Sequence, residues 1–268
     1  MKMYDFTKLE TFIGLNKPAH FEPTLEHLNH YIRQYVLHVP FENINVQNRL
    51  PLAVNNASMI QKITERHQGG ICYENNRLTY EYLSQHGYDM HFIAATVNQG
   101  EEKGWAAENV HMTTIATLNG TRYLVETGFG ESPLMAVPLN GEIVEDTAKR
   151  QVYKIKYIDN TTFDLLKKMN DQWVIQYRAV DRYLKFRDFE NAMVYNQTSL
   201  DSHFVTDPLL VKNWETGHVT MTGRNLTVTD QGKKEKHPVT RENYRQFLAD
   251  YFNITHTPIL FFEPEETE

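Results

Sequence analysis

A single cysteine, Cys72, is the whole thiol content of this 268-residue chain. An internal disulfide and a multi-cysteine zinc site are therefore excluded. Positive charge is also short: 27 Lys and Arg face 34 Asp and Glu, for a net charge of −7. That balance argues against general nucleic-acid binding, and no polybasic patch suits an anionic membrane. No apolar run is long enough to span a bilayer. The opening residues, MKMYDFTKLE, hold no apolar signal region. A cytoplasmic, reducing location is the expectation. His20, His27, His30, His38, His203 and His218 show no metal-ligand spacing, so no metal is expected.

What is present reads as an ordinary globular protein, with 41% hydrophobic and 23% charged residues. The length suits one large domain or a few small ones with a sizeable core. Residues 1–86 read as a helical bundle. Phe6, Leu9, Phe12 and Ile13 form a short amphipathic stripe. Pro23 and Thr24 open a helix carried by Leu25, Leu28, Ile32 and Tyr35, which must stop before Pro40. HVPFENINV at 38–46 alternates apolar and polar, and Met59–Arg66 reads as a third short helix. Over 87–190 the period becomes two. His91–Val97, His111–Leu118, Arg122–Phe129, Val152–Ile158, Phe163–Met169 and Trp173–Tyr177 read as strands of an antiparallel barrel. The polar loop Gln99–Glu108 is expected to be exposed. In 191–268, strands are expected over Phe204–Trp214 and Val219–Val228, a charged turn at Lys233–Lys236, and a helix over Thr240–Phe252. The tail EPEETE is expected to fray.

The chemistry centres on HQGGICYENNRLTYEY, residues 67–82. Ile71, Asn75, Leu78 and Tyr82 share one helix face, and Gly87 ends the helix. Cys72 then lies in the first turn, where unpaired N–H groups and the dipole favour a thiolate. Gly69 and Gly70 permit a sharp turn or close approach to a ligand. An inert core thiol fits the same residues.

A two-residue turn at Asn119-Gly120 pairs Leu118 with Thr121, Thr113 with Glu126 and His111 with Gly128. His111 and Glu126 become diagonal neighbours on one sheet face, about 7–8 Å apart at Cα. The carboxylate then fixes the tautomer and leaves the other ring nitrogen as a base. A satisfied His–Glu pair on a half-buried sheet is the other reading. Gly128 and Gly130 can offer N–H groups to an anion or simply form a turn. Cysteine, histidine and acid in that order match the papain-like cysteine enzymes.

These segments resemble the arylamine N-acetyltransferases. VPFENINV at 39–46, QGGICYE at 68–74 and HMTTIATLNGTRYLVETGFG at 111–130 carry the resemblance, with NQTSLDSHF at 196–204 matching more loosely. The resemblance implies an α+β fold: an N-terminal helical bundle, a central antiparallel β-barrel and a C-terminal α/β lid. It implies acetyl-CoA as donor, with arylamines or hydrazines as acceptors, and acetyl transfer by a ping-pong route. It assigns Cys72 as the acetyl-accepting nucleophile, His111 as base and Glu126 as the acid, where the family normally has aspartate. It places Phe41 and Phe204 in the acceptor pocket and Gly128 beside the CoA phosphates. Gln68 stands where the family usually has arginine, so looser ion pairing is expected at the turn. A cysteine hydrolase using the same triad and a non-catalytic small-molecule binder are the rival readings.

Overall fold

The structure is a computed structural model that describes residues 3–15, 22–148 and 151–263. His20 and the tail beyond residue 263 lie outside the described residues. The first elements are α1 (Thr7–Phe12), α2 (Leu25–His38), β1 (Phe41–Glu42), α3 (Ile44–Gln47), α4 (Asn56–Arg66) and α5 (Cys72–Gln85). Thr24 caps α2, its hydroxyl accepting the His27 N–H at 3.2 Å. Leu28, Tyr31, Ile32 and Tyr35 turn one face of α2 into the helical core with Leu78 and Tyr82 of α5. The alternating segment 38–46 is not a long strand. Glu42 Oε2 accepts the Ile44 N–H at 2.5 Å, so the chain turns helical after two extended residues.

The barrel strands are β2 (Asp89–Val97), β3 (His111–Leu118), β4 (Thr121–Val125), β5 (Val137–Pro138), β6 (Val144–Asp146), β7 (Gln151–Tyr157), β8 (Thr162–Met169) and β9 (Gln172–Leu184). They form one antiparallel sheet in the order β5-β4-β3-β2-β9-β8-β7-β6. Val137 at one edge packs with Tyr153 and Ile155 near the other, so the sheet is nearly closed around its core. Leu118 pairs with Thr121 across Asn119 and Gly120, whose φ values are +50° and +78°, a primed turn. β4 ends at Val125 and not at Phe129, because the glycine-rich stretch leaves the sheet. β9 runs past Tyr177 to Leu184. Its charged residues did not end it, because Arg178 pairs with Asp164 on the neighbouring β8 and Asp181 with Arg122 on β4.

The remaining elements are α6 (Glu190–Thr198), α7 (His203–Thr206), β10 (Leu209–Trp214), β11 (Gly217–Thr222), β12 (Asn225–Asp230), β13 (Lys233–Pro238) and α8 (Tyr244–Phe247). The second sheet has the order β1-β10-β11-β12-β13, so it recruits a strand from the N-terminal third of the chain. Three expectations change here. Phe204 lies on the short helix α7 before the strand begins. Lys233–Lys236 is an edge strand, where charge blocks further pairing. The terminal helix is only α8, prolonged by a π-helical turn over Leu248–Phe252.

Candidate active site

Gly69 and Gly70 set the start of α5. A Cβ at Gly69 would stand 1.7 Å from the Pro40 carbonyl oxygen, and one at Gly70 2.5 Å from Glu74 Oε2. Both glycines are therefore needed to bring this turn against the chain itself. Glu74 accepts the Ile71 N–H at 3.0 Å and the Ala53 N–H at 2.9 Å, fixing the first turn. Cys72 opens the helix and is buried. Gly128 packs onto it so tightly that a Cβ there would lie 2.8 Å from Cys72 Cα.

His111 begins β3, and its Nε2 lies 2.8 Å from Glu126 Oε2. The other ring nitrogen, Nδ1, is left for Cys72, which lines the same cavity wall as the imidazole. Burial lowers the His111 pKa, but the Glu126 carboxylate and Cys72 outweigh it and raise it to about 10. His111 is then an imidazolium at neutral pH, the partner that a thiolate needs.

Glu126 has every oxygen engaged. Oε1 accepts Asn76 Nδ2 and the Gly128 N–H, each at 2.8 Å. Oε2 accepts His111 and the Tyr177 hydroxyl, the latter at 3.2 Å. Burial would raise its pKa, yet His111, Asn76 and Gly128 together hold it below the usual carboxylate range. The extra methylene relative to aspartate is absorbed by this four-donor cradle. Asn76 and Tyr177 were missed in the sequence. Asn76 sits four residues after Cys72 on α5 and was legible as the same helix face; Tyr177 follows a bulge between β8 and β9 and was not.

Cys72 and His111 open onto a cavity of about 610 Å³, with the Glu126 carboxylate buried behind the imidazole. Phe41, Phe129, Phe204 and Trp105 line it, and Gly128 stands in its wall. The ring centroids of Phe41 and Phe204 are 5.9 Å apart. The loop expected to be merely exposed contributes Gln99, Trp105, Ala106 and Ala107 to the wall.

Gln68 takes no part in the ion pairing at the turn. Lys62 of α4 supplies the local cation, with Nζ 2.9 Å from both Glu42 Oε1 and Glu74 Oε1. The Gln68 side chain is buried, and neither of its amide atoms has a hydrogen-bond partner. Among the described residues, no group of three or more His, Cys, Asp or Glu is placed to hold a metal ion, and no helix is long and apolar enough to cross a membrane.

Residues 24–258 match the N-acetyltransferase family. The chain is 28% identical to the pineal gland isozyme NAT-10 of arylamine N-acetyltransferase from Gallus gallus, over 86% of this chain and 88% of that one. It is 29% identical to an arylamine N-acetyltransferase from Bacillus cereus whose crystal structure reveals a Cys-His-Glu catalytic triad. That match covers 94% of this chain and 100% of the other, with a TM-score of 0.84. The fold is also that of the Mycobacterium marinum arylamine N-acetyltransferase in complex with CoA, at 24% identity over 94% and 93% of the chains and a TM-score of 0.83. With a cysteine and a carboxylate-bound imidazole in the wall of an aromatic cavity, the chain belongs to the arylamine N-acetyltransferase family of acyltransferases.

Proposed function

We propose that the protein transfers acetyl groups from acetyl-CoA to arylamines or arylhydrazines through an acetyl-Cys72 intermediate. The observation that carries this reading is the Glu126-bound His111 beside Cys72 in the wall of the aromatic cavity. The Cys72 thiolate attacks the thioester carbonyl, the C–S bond to CoA breaks, and His111 gives its proton to the departing CoA thiolate. The acceptor nitrogen then attacks the acetyl-cysteine, and His111 takes the nitrogen's proton as Cys72 leaves. Glu126 stabilises the imidazolium in both halves. The Cys72 backbone N–H, at the start of a helix, is the donor we assign to the oxyanion.

Phe41 and Phe204 pack tilted against each other and offer an apolar wall on which a flat aromatic acceptor would lie. Gly128 stands in the wall along which the CoA arm would enter. The C-terminal sheet, through β1 and β10, helps cover the acetyl-enzyme from water.

The test is intact-mass measurement after mixing with acetyl-CoA, followed by addition of an arylamine. One acetyl group should appear on Cys72 and vanish as the amine is acetylated. Cys72→Ala should neither carry the acetyl group nor turn over. Turnover by that variant would overturn the assignment. Amide hydrolysis without CoA, and no acetyl-enzyme, would favour a cysteine hydrolase.

A further inference from the structure

Outside the cavity lining lies a buried ionic cluster. Lys62, Glu42 and Glu74 are 4%, 0% and 1% exposed, so this is one cation between two carboxylates in the interior. Each member ties down a different piece of chain. Lys62 is on α4. Glu42 is on β1, next to Phe41 of the cavity wall, and its N–H donates to the Gly70 carbonyl at 3.1 Å. Glu74 is in the first turn of α5, two residues after Cys72. Glu42 Oε1 has no partner other than the Lys62 ammonium among the described residues.

We infer that Lys62 is a positioning residue for acetyl transfer: its ammonium clamps the Phe41 wall to the Cys72 turn and offsets buried negative charge beside the nucleophile. The inference rests on the reading of Cys72 as the acetyl carrier. Lys62 does not line the cavity and touches no substrate.

The energetics give the clamp its direction. A buried ion pair deprived of one partner is strongly destabilised, because the remaining charge is stranded. Here loss of the ammonium strands two carboxylates facing each other. Burial and Glu42 already raise the Glu74 pKa against the lowering effect of Lys62. Burial lowers the Lys62 pKa, but the two carboxylates more than reverse this. With both carboxylates ionised, the cluster carries one net negative charge beside the Lys62 ammonium and two without it. The added charge lies in the first turn of α5, two residues from Cys72, and opposes a second anion there.

The decisive measurement uses the lone thiol, which reads out Cys72 without any substrate. Cys72 alkylation by iodoacetamide is followed by mass against pH in the full chain, beside kcat and KM for acetyl transfer. Lys62→Met should move the alkylation profile to higher pH and lower kcat at least about tenfold. Lys62→Arg should keep the native profile. The double variant Lys62→Met, Glu42→Gln restores one net negative charge but not the clamp. It should return the alkylation profile to the native pH while kcat stays depressed.

A folded Lys62→Met protein with native alkylation profile and native kcat would overturn the inference. If that variant does not fold, the double variant decides, and native kcat there overturns the clamp. Should the unmodified enzyme fail to acquire acetyl on Cys72, the reading of the reaction falls, while the thiol profiles still report whether Lys62 governs the thiolate.

Discussion

At the residue scale, the acid of the site explains itself through its neighbours. Four donors hold the two oxygens of Glu126, His111 among them, and another, Tyr177, comes from β9, two strands from β3 in the same sheet. Tyr177→Phe removes a donor to a charged group. It should lower the free energy of unfolding by roughly 1.5 kcal/mol, read by denaturant titration, with a smaller loss in kcat. His111 sets the pH behaviour. Its folded pKa is raised from 6.5 to about 10. A raised pKa contributes stability that is complete below the unfolded value and is lost as pH rises through the folded one. The native protein should therefore lose stability relative to Glu126→Gln between about pH 6.5 and 10. The His111 ring protons should titrate near the upper limit in an NMR experiment; titration near 6.5 would remove the ion pair from the account. His111 and Glu126 were legible because a two-residue turn makes register countable. Tyr177 was not, because the shift between Leu165 and Leu166 destroys the count.

At the scale of elements, α5 and the segment 39–47 do most of the organising. α5 carries the thiol, and through Asn76 it holds both Glu126 and the Met112 carbonyl, each at 2.7–2.8 Å. Its start was legible from the paired glycines and the apolar face. The role of the glycines was not: they allow contact with Pro40 and Glu74, and only coordinates show that the chain fills that space. Gly69→Ala should cost at least about 2 kcal/mol of stability, since a backbone carbonyl must move. The segment 39–47 acts as a clasp. Asn43 Nδ2 donates to the Phe204 and Asp207 carbonyls, both at 2.9 Å, and its Oδ1 accepts the Leu209 N–H at 2.7 Å. Gln47 Nε2 adds a bond to the Phe204 carbonyl at 2.7 Å. Asn43→Ala leaves three buried backbone groups without this partner. It should lower stability by about 2 kcal/mol or more and raise KM for the aromatic acceptor by displacing Phe204. Melting curves and steady-state kinetics check both. These partners lie 161 to 166 residues away, so no local pattern announces them.

For the whole molecule, the order helices, barrel, C-terminal sheet follows the periodicity of the chain, because each period is set locally by which face must be buried. How the parts join depends on single polar contacts that periodicity does not encode. The glycine-rich loop after Glu126 is one such joint. Asn213 of β10 donates to the Gly130 carbonyl at 2.8 Å. Glu131 Oε2 lies 2.8 Å from Lys167 Nζ on the barrel, and Oε1 lies 3.3 Å from His218 Nε2 on β11. The loop that walls the cavity is thus held between the two sheets. Burial raises the Glu131 pKa, but His218 and Lys167 more than reverse it and depress it. A depressed carboxylate contributes stability above its unfolded value, near 4.5, and that contribution declines on acidification below it. Because the side chain is 40% exposed, solvent screens these pairs, and Glu131→Gln should change global stability by less than about 1 kcal/mol at neutral pH. Between about pH 5 and 3, its unfolding free energy should fall less steeply than that of the native protein. The larger effect belongs to the joint itself: with the charge gone, the loop loosens from β11 and water gains access to the acetyl-enzyme. The ratio of acetyl-CoA hydrolysis to amine acetylation should rise severalfold in this variant, with the yield of acetyl-Cys72 preserved. An unchanged ratio would mean that the joint does not seal the site.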